Sequence, residues 1–497
     1  MSPGRETRHH PLRGRLRTAI TSAAAYACAT LAVAGCTHLV TGQGSSMLYD
    51  PFHVAGLIAA DGHSGPRGDA PAPTGTVKNT DGGAVDKLAL LAINDIEDYW
   101  EQAYSHSLNG TFQPVAQRVS YDSHDPASPR VCGNETYRLI NAFYTPRCNL
   151  IAWDRGALFP IGQRYFGDMS IAGVLAHEYG HAVQHMAKIV NRTTPVIVLE
   201  QQADCFGGVY LRWVAEGHSP RFTLSTGDGL DHVLAGLISM RDPIITPEGM
   251  DLTTEGHGTA LDRVSAFQMG FAGDAATCAA IDMNEVTQRR GDEPIELHPA
   301  PSGQEDTGPA AVDQTSLSTL MQVLEKVFSP TQPPKLSLEP AKCPDAQASP
   351  PASYCPATNT ITVDLPALQK MGTPGEEQQQ HVLLQGDNTA FSIVMSRYTL
   401  AVQHERHLAL DTAMAALRTA CLTGVAHQKM AKQIPLPSGT TLVITAGDID
   451  QAVAGLLTNR LVASDVNGVS VPAGFTRITA FRSGVVGTDD QCYQRFA

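Results

Sequence analysis

The chain is written twice. Ile151-Ala152-Trp153-Asp154 answers to Ile361-Thr362-Val363-Asp364, and Tyr179 with Ala182-Val183-Gln184-His185 answers to Tyr398 with Ala401-Val402-Gln403-His404. Asp231-His232-Val233-Leu234-Ala235-Gly236-Leu237 answers to Asp450-Gln451-Ala452-Val453-Ala454-Gly455-Leu456. The ends agree best, with Arg263, Ala266, Phe267, Gly270, Gly273 and Cys278 recurring at the spacing of Arg477, Ala480, Phe481, Gly484, Gly487 and Cys492. A repeat on this scale constrains the fold strongly, because each copy must bury its own core, and 497 residues with 42% hydrophobic side chains suffice for two. It is also an internal control. Positions kept in both copies are expected to serve the fold, and positions kept in one are candidates for function.

The copies differ most at His177-Glu178-Tyr179-Gly180-His181. The apolar run Ile171-Ala172-Gly173-Val174-Leu175-Ala176 before it and Ala182-Val183-Gln184 after it predict a buried helix without proline. On a helix, positions i and i+4 share a face, so His177 and His181 would offer two imidazoles to one metal ion with Glu178 beside it. Glu200-Gln201-Gln202-Ala203-Asp204 then supplies Glu200 as a third ligand and, one turn on, Asp204 to accept a hydrogen bond from a ligand imidazole. A hydrolytic zinc keeps three protein ligands and one open position, and lowers the pKa of a bound water to about 7; Glu178 is placed to take its proton. The second copy has Ser396, Arg397 and Leu400 at the motif, with Ala416 near the Glu200 position and Ala420 at that of Asp204, so it cannot hold zinc in this way. His404-Glu405-Arg406-His407 spaces its histidines at i and i+3 and reads as a solvated helix face. His257, in Glu255-Gly256-His257-Gly258-Thr259, has no imidazole counterpart in Ser470-Val471-Pro472-Ala473, and is expected to stabilise an oxyanion or bind substrate.

The two-His, one-Glu set is similar to that of the gluzincins. The run Ile171 to Gln184, the segment Glu200 to Gly208, Thr226-Gly227-Asp228, and His257-Gly258-Thr259 through Arg263 to Cys278 together resemble the bacterial "putative neutral zinc metallopeptidase" family. With its tandem second half and N-terminal features, the chain looks like a mycobacterial lipoprotein peptidase of that group. The resemblance spans roughly residues 84–285. It implies a zincin-like fold, Zn2+ held by His177, His181 and Glu200, and Glu178 as catalytic acid and base. Ala182 departs from the pattern, since the family usually has a further histidine there; the inferred ligands are untouched by this.

Arg13, Arg15 and Arg17 precede a mostly apolar run from Thr18 to Ala34, and Val33-Ala34-Gly35-Cys36 fits a lipobox, so residues 1–35 read as a lipoprotein signal peptide and Cys36 as the lipidated terminus. The run is short for a membrane span, so the expected mature protein is an ectodomain tethered at the outer face of the cytoplasmic membrane. Formal net charge is −14; five arginines and one glutamate leave with the signal, taking the remainder to −18 and arguing against nucleic acid as a partner. Of ten cysteines Cys28 leaves too and Cys36 is taken by lipid, so eight remain for an oxidising compartment. By the repeat they pair as Cys132–Cys148, Cys205–Cys278, Cys343–Cys355 and Cys421–Cys492.

The expectations are a helix-dominated α+β, zincin-like domain, tandemly duplicated with a degenerate second copy. Residues 36–83 are expected as a flexible spacer, 84–285 as the peptidase domain, 286–310 as a linker and 311–497 as a non-catalytic repeat sharing an interface with the first. The expected activity is zinc-dependent hydrolysis of peptide bonds in a peptide or protein substrate, by Glu178-assisted attack of zinc-bound water. The competing reading, an exported zinc-binding adaptor without turnover, has no use for a carboxylate at Glu178.

Overall fold

Why residues 49–83 do not dangle is visible in their hydrogen bonds. The computed structural model describes residues 49–241, 256–291, 310–375, 383–440 and 442–497, all within the unit Ser46–Ala497. In it, β1 (His53–Val54) and β2 (Leu57–Ile58) form a hairpin, and β3 (Gly65–Pro66) pairs antiparallel with β7 (Phe222–Thr223). Thr226 Oγ1 donates to the Ile58 carbonyl at 2.6 Å, and the Gly227 amide donates to the Ala60 carbonyl at 2.9 Å. Lys78 bridges to Val119 on a strand of the first sheet. The expectation of a flexible spacer is therefore corrected for residues 49–83. Their Gly, Pro and Ser content sets turns, and the backbone between them finds partners on the domain. Residues 1–35, expected as a signal peptide, and Cys36 lie outside the described residues.

The first half builds a three-stranded sheet in the order β4 (Gln117–Tyr121), β6 (Leu150–Asp154), β5 (Ala142–Thr145), parallel then antiparallel. Strand β6 is buried along its whole length. Around the sheet lie α1 (Ala84–Ser107), α2 (Leu158–Phe166), α3 (Asp168–Ala187), α4 (Val196–Ala215), α5 (Asp228–Ser239), α6 (Ala260–Ala272), α7 (Ala275–Ala279) and α8 (Met283–Arg290). Trp100 and Trp153 are both buried in the main core, and the Trp153 indole donates to Asp86 at 2.8 Å. Helix α8 corrects the linker: its Arg290 is buried and pairs with Asp262 at 2.6 Å, so residues 286–291 belong to the first half, while 292–309 lie outside the described residues.

Residues 310–497 present a similar order. Helix α9 (Gln314–Phe328) precedes a sheet ordered β8 (Lys335–Ser337), β10 (Thr360–Val363), β9 (Ala352–Cys355), again parallel then antiparallel. There follow α10 (Leu365–Met371), α11 (Asp387–Glu405), α12 (Ala413–Met430), α13 (Ala446–Thr458), α14 (Gly474–Val485) and α15 (Asp489–Arg495). The cysteines join as Cys132–Cys148, Cys205–Cys278, Cys343–Cys355 and Cys421–Cys492. Helices α4 and α6 meet so closely that a methyl at Gly270 would run into the Cys205 carbonyl, and α12 and α14 repeat this with Gly484 and Cys421. His404, Glu405, Arg406 and His407 are exposed.

The halves touch through reciprocal contacts. Asp231 on α5 accepts from the Gly474 amide, the first residue of α14, at 2.6 Å, and Asp450 on α13 accepts from the Ala260 amide, the first residue of α6, at 2.9 Å. Arg477 reaches Asp231 at 2.7 Å, and Arg241 reaches Asp450 at 3.0 Å. A carboxylate at a helix N-terminus satisfies an orphan amide and opposes the positive end of the helix dipole. Among the described residues no helix is long and apolar enough to cross a membrane.

Candidate metal centre

Helix α3 carries the His177–His181 motif. Asp168 sits in its first turn, and the Lys188 amide, in left-handed backbone, closes its end onto the Gln184 and His185 carbonyls. The two rings lie edge to face with centroids 4.9 Å apart. Helix α4 brings Glu200 against them, because Gly180 lets the helices approach: a Cβ there would stand 2.8 Å from Ala203 Cα. Glu200 Oε2 lies 3.2 Å from His177 Nε2, and Oε1 lies 3.5 Å from His181 Nε2. The three side chains can each offer a ligand atom within 4.8 Å of the others.

The outer nitrogens fix which atoms face inward. His177 Nδ1 lies 2.7 Å from Asp204 Oδ1, and His181 Nδ1 lies 3.0 Å from Gln184 Oε1, whose amide is itself oriented by donating to the Leu199 carbonyl at 2.6 Å. Each acceptor receives a hydrogen bond from Nδ1–H, which leaves the Nε2 lone pair toward Glu200. Two electron-rich nitrogens therefore face a carboxylate whose Oε2 is buried without a hydrogen-bond donor. Something positive must stand between them. A proton can serve one such pair; a metal cation serves all three donors at once. The residues present thus fit a Zn2+ ion, for which two imidazoles and one carboxylate leave an open coordination position.

The electrostatics agree. Burial opposes charge on His177, but Asp204 and Glu200 override it and raise its pKa to about 10 while no metal competes for Nε2. Burial would raise Glu200, yet His177, His181 and His257 hold it well below the usual carboxylate range. Asp204 is buried, and Arg263 keeps it ionised with two hydrogen bonds of 2.7 and 2.9 Å. Glu178 points elsewhere: its Oε2 accepts from the Tyr144 amide on β5 at 2.8 Å, and burial raises its pKa against the pull of both histidines. His257 comes to the rim with its side chain 52% exposed and Nε2 3.8 Å from Glu200 Oε2.

All six candidates from the sequence, His177, Glu178, His181, Glu200, Asp204 and His257, therefore lie together. Three contributors escaped that reading. Arg263 and Gln184 recur as Arg477 and Gln403 and so counted as serving the fold, although a buried Asp204 present in the first copy alone demands a counter-charge there. The Tyr144 contact is made by backbone, which leaves no residue-type signal. In the second half Gln403 accepts from Arg418 at 2.7 Å, and Arg397, at the Glu178 position, is buried and donates to the Ala352 carbonyl at 2.9 Å.

Residues 39–281 match the family model described as putative neutral zinc metallopeptidase. No curated protein and no solved structure matches the chain. Over those residues the chain belongs to the putative neutral zinc metallopeptidase family, whose cofactor is Zn2+. The match begins within the segment expected as spacer, in keeping with the packing of residues 49–83 onto the sheet and α5.

Proposed function

We propose that this family member is an exported, lipid-anchored peptidase in which His177, His181 and Glu200 hold zinc, Glu178 moves the proton, and the half from residue 310 onward is a non-catalytic duplicate packed against the first as an intramolecular pseudo-dimer. The observation that carries the reading is the Glu178 carboxylate, held on the ligand helix beside three converging donors without being one of them. A structural zinc site is closed by four protein ligands and has no task for it.

Zinc bound there would polarise the scissile carbonyl and make water a stronger acid. Glu178 would take the proton from the attacking water and pass it to the leaving amine. Its pKa, raised by burial, suits both steps, and the Tyr144 amide holds one of its oxygens in place. Strand β5 is the edge of its sheet, so a peptide could align against it in extended form. His257 would stabilise the oxyanion or bind substrate at the rim. Cleavage of a denatured-protein substrate by the mature chain tests the reading: activity lost to a zinc chelator and restored by added zinc supports it, and activity indifferent to chelation removes it.

Export rests on the arginine-led apolar segment and on Val33-Ala34-Gly35-Cys36. The expected location is the outer face of the cytoplasmic membrane, and mass spectrometry of the N-terminal peptide would show diacylglyceryl on Cys36. The duplication reading rests on the shared element order and the reciprocal Asp231 and Asp450 contacts.

A further inference from the structure

We infer that Asp450, in the half outside the family match, is a positioning residue for the metal centre: it anchors the start of helix α6 and thereby aims His177 through Arg263 and Asp204. The inference rests on the metal-site reading above.

The path is short and buried. Asp450 Oδ1 accepts from the Ala260 amide at 2.9 Å, and Oδ2 accepts from Arg241 Nε at 3.0 Å. Arg263 lies in the first turn of the same helix, and its Nη1 donates to the Met240 carbonyl, next to Arg241, at 2.7 Å. Two further contacts clamp Asp204 at 2.9 and 2.7 Å, Arg263 Nη2 lies 3.5 Å from His177 Nδ1, and Asp204 fixes His177 Nδ1 at 2.7 Å. Asp450, Arg263, Asp204 and His177 are each less than 9% exposed, so water is a poor substitute along the way. The stretch entering α6 carries His257, which faces Glu200, so the same anchor locates the rim of the site.

Within its own half, α6 has a capping box between Thr259 and Asp262 and the Arg290–Asp262 pair. The capping box closes the first turn on itself, and the Arg290 pair ties it to α8 of the same half. The Asp450 contacts instead tie that turn, and Arg241 below it, to a different part of the molecule. The mirror contact provides the control. Asp231 does for α14 what Asp450 does for α6, but α14 carries Arg477, which donates to backbone carbonyls and Asp231 and touches no metal ligand.

The test measures zinc affinity of the mature chain by competition with a chromophoric chelator, alongside the visible spectrum of the cobalt(II)-loaded protein. Groups that directly orient a metal ligand change affinity about 10- to 100-fold; Asp450, two contacts further out, is expected to change it about five- to tenfold in D450A. D450N, whose amide oxygen still accepts from Ala260, should lose less, and D231A should stay within twofold of wild type. The cobalt spectrum should shift in D450A and not in D231A. Equal weakening in D450A and D231A, or none in either, would overturn the inference alone. If D450A does not fold, D450N against D231N makes the same comparison. A wild-type chain that takes up no zinc would overturn the metal-site reading, and the inference with it.

Discussion

Gly180 sits between the proposed ligands His177 and His181, at a point where α3 touches α4. In Gly180→Ala the new methyl would stand 2.8 Å from Ala203 Cα and 2.9 Å from Ala203 O, both backbone atoms. Carbon contacts are comfortable at about 3.5–4.0 Å, so the helices must part by several tenths of an ångström. Overpacking of this kind costs about 1–3 kcal/mol, against roughly 1 kcal/mol regained from alanine's helix propensity. The control is Gly173→Ala on the same helix, where the methyl meets only Val233 Cγ1, at 3.7 Å, and should keep that propensity gain. The two variants should therefore differ in stability by about 1–3 kcal/mol. Because Glu200 rides on α4, Gly180→Ala should also weaken zinc binding by about tenfold, as for other losses of ligand alignment. Thermal denaturation with and without zinc, and chelator competition, read both effects. A Gly180→Ala protein as stable as Gly173→Ala, with wild-type zinc affinity, would refute the argument from close approach.

Asp204→Asn should lower zinc affinity about 10- to 100-fold by loosening His177, and should also destabilise the fold by leaving the Arg263 charge underpaired; equilibrium dialysis and melting temperature check the two parts. His257→Ala should reduce the catalytic rate with zinc content unchanged, and a rate within twofold of wild type would end its assigned role. His427 gives a pH-dependent prediction: burial lowers its pKa to about 4, with Nδ1 donating to the Thr423 carbonyl and Nε2 receiving Asn388 and Ser392. A depressed histidine pKa stabilises the fold above pH 6.5 and loses that contribution as pH falls toward 4, at up to about 1.4 kcal/mol per pH unit and roughly 3 kcal/mol in all. Asp450, pushed up to about 6 by burial, works with the opposite sign, losing stability as pH rises through 6. The measurement is therefore the difference in stability between wild type and His427→Gln at several pH values, which should shrink as pH falls from 6.5 to 4.

Much of the site was legible because its chemistry is local in sequence. The His177 and His181 spacing is a helical turn, and Asp204 follows Glu200 by another, so two successive helices carry five of the six candidates. The correspondence between the halves made cysteine pairing readable, since each carries one pair close in sequence, Cys132–Cys148 and Cys343–Cys355, and one distant pair, Cys205–Cys278 and Cys421–Cys492. What stayed hidden is held by contacts far apart in the chain. Residues 49–83 looked like a spacer because their strands are two residues long and their partners, such as Phe222–Thr223, lie far along the sequence. Asp450 and Asp231 looked like interchangeable copies of one structural aspartate; only the fold shows that each serves the opposite half. Arg263 and Arg477, matched in sequence, diverge in partner, so identity of residue did not imply identity of task.

The central claim is that Glu178 acts on substrate without holding the metal. It is tested by comparing zinc content and cleavage of a denatured protein for the mature chain and its Glu178→Gln variant. The account expects about one zinc in each and a loss of activity in the variant of roughly a hundredfold or more, the scale of a missing general base. Equal zinc in both proteins with equal activity, or with no cleavage by either, would contradict it.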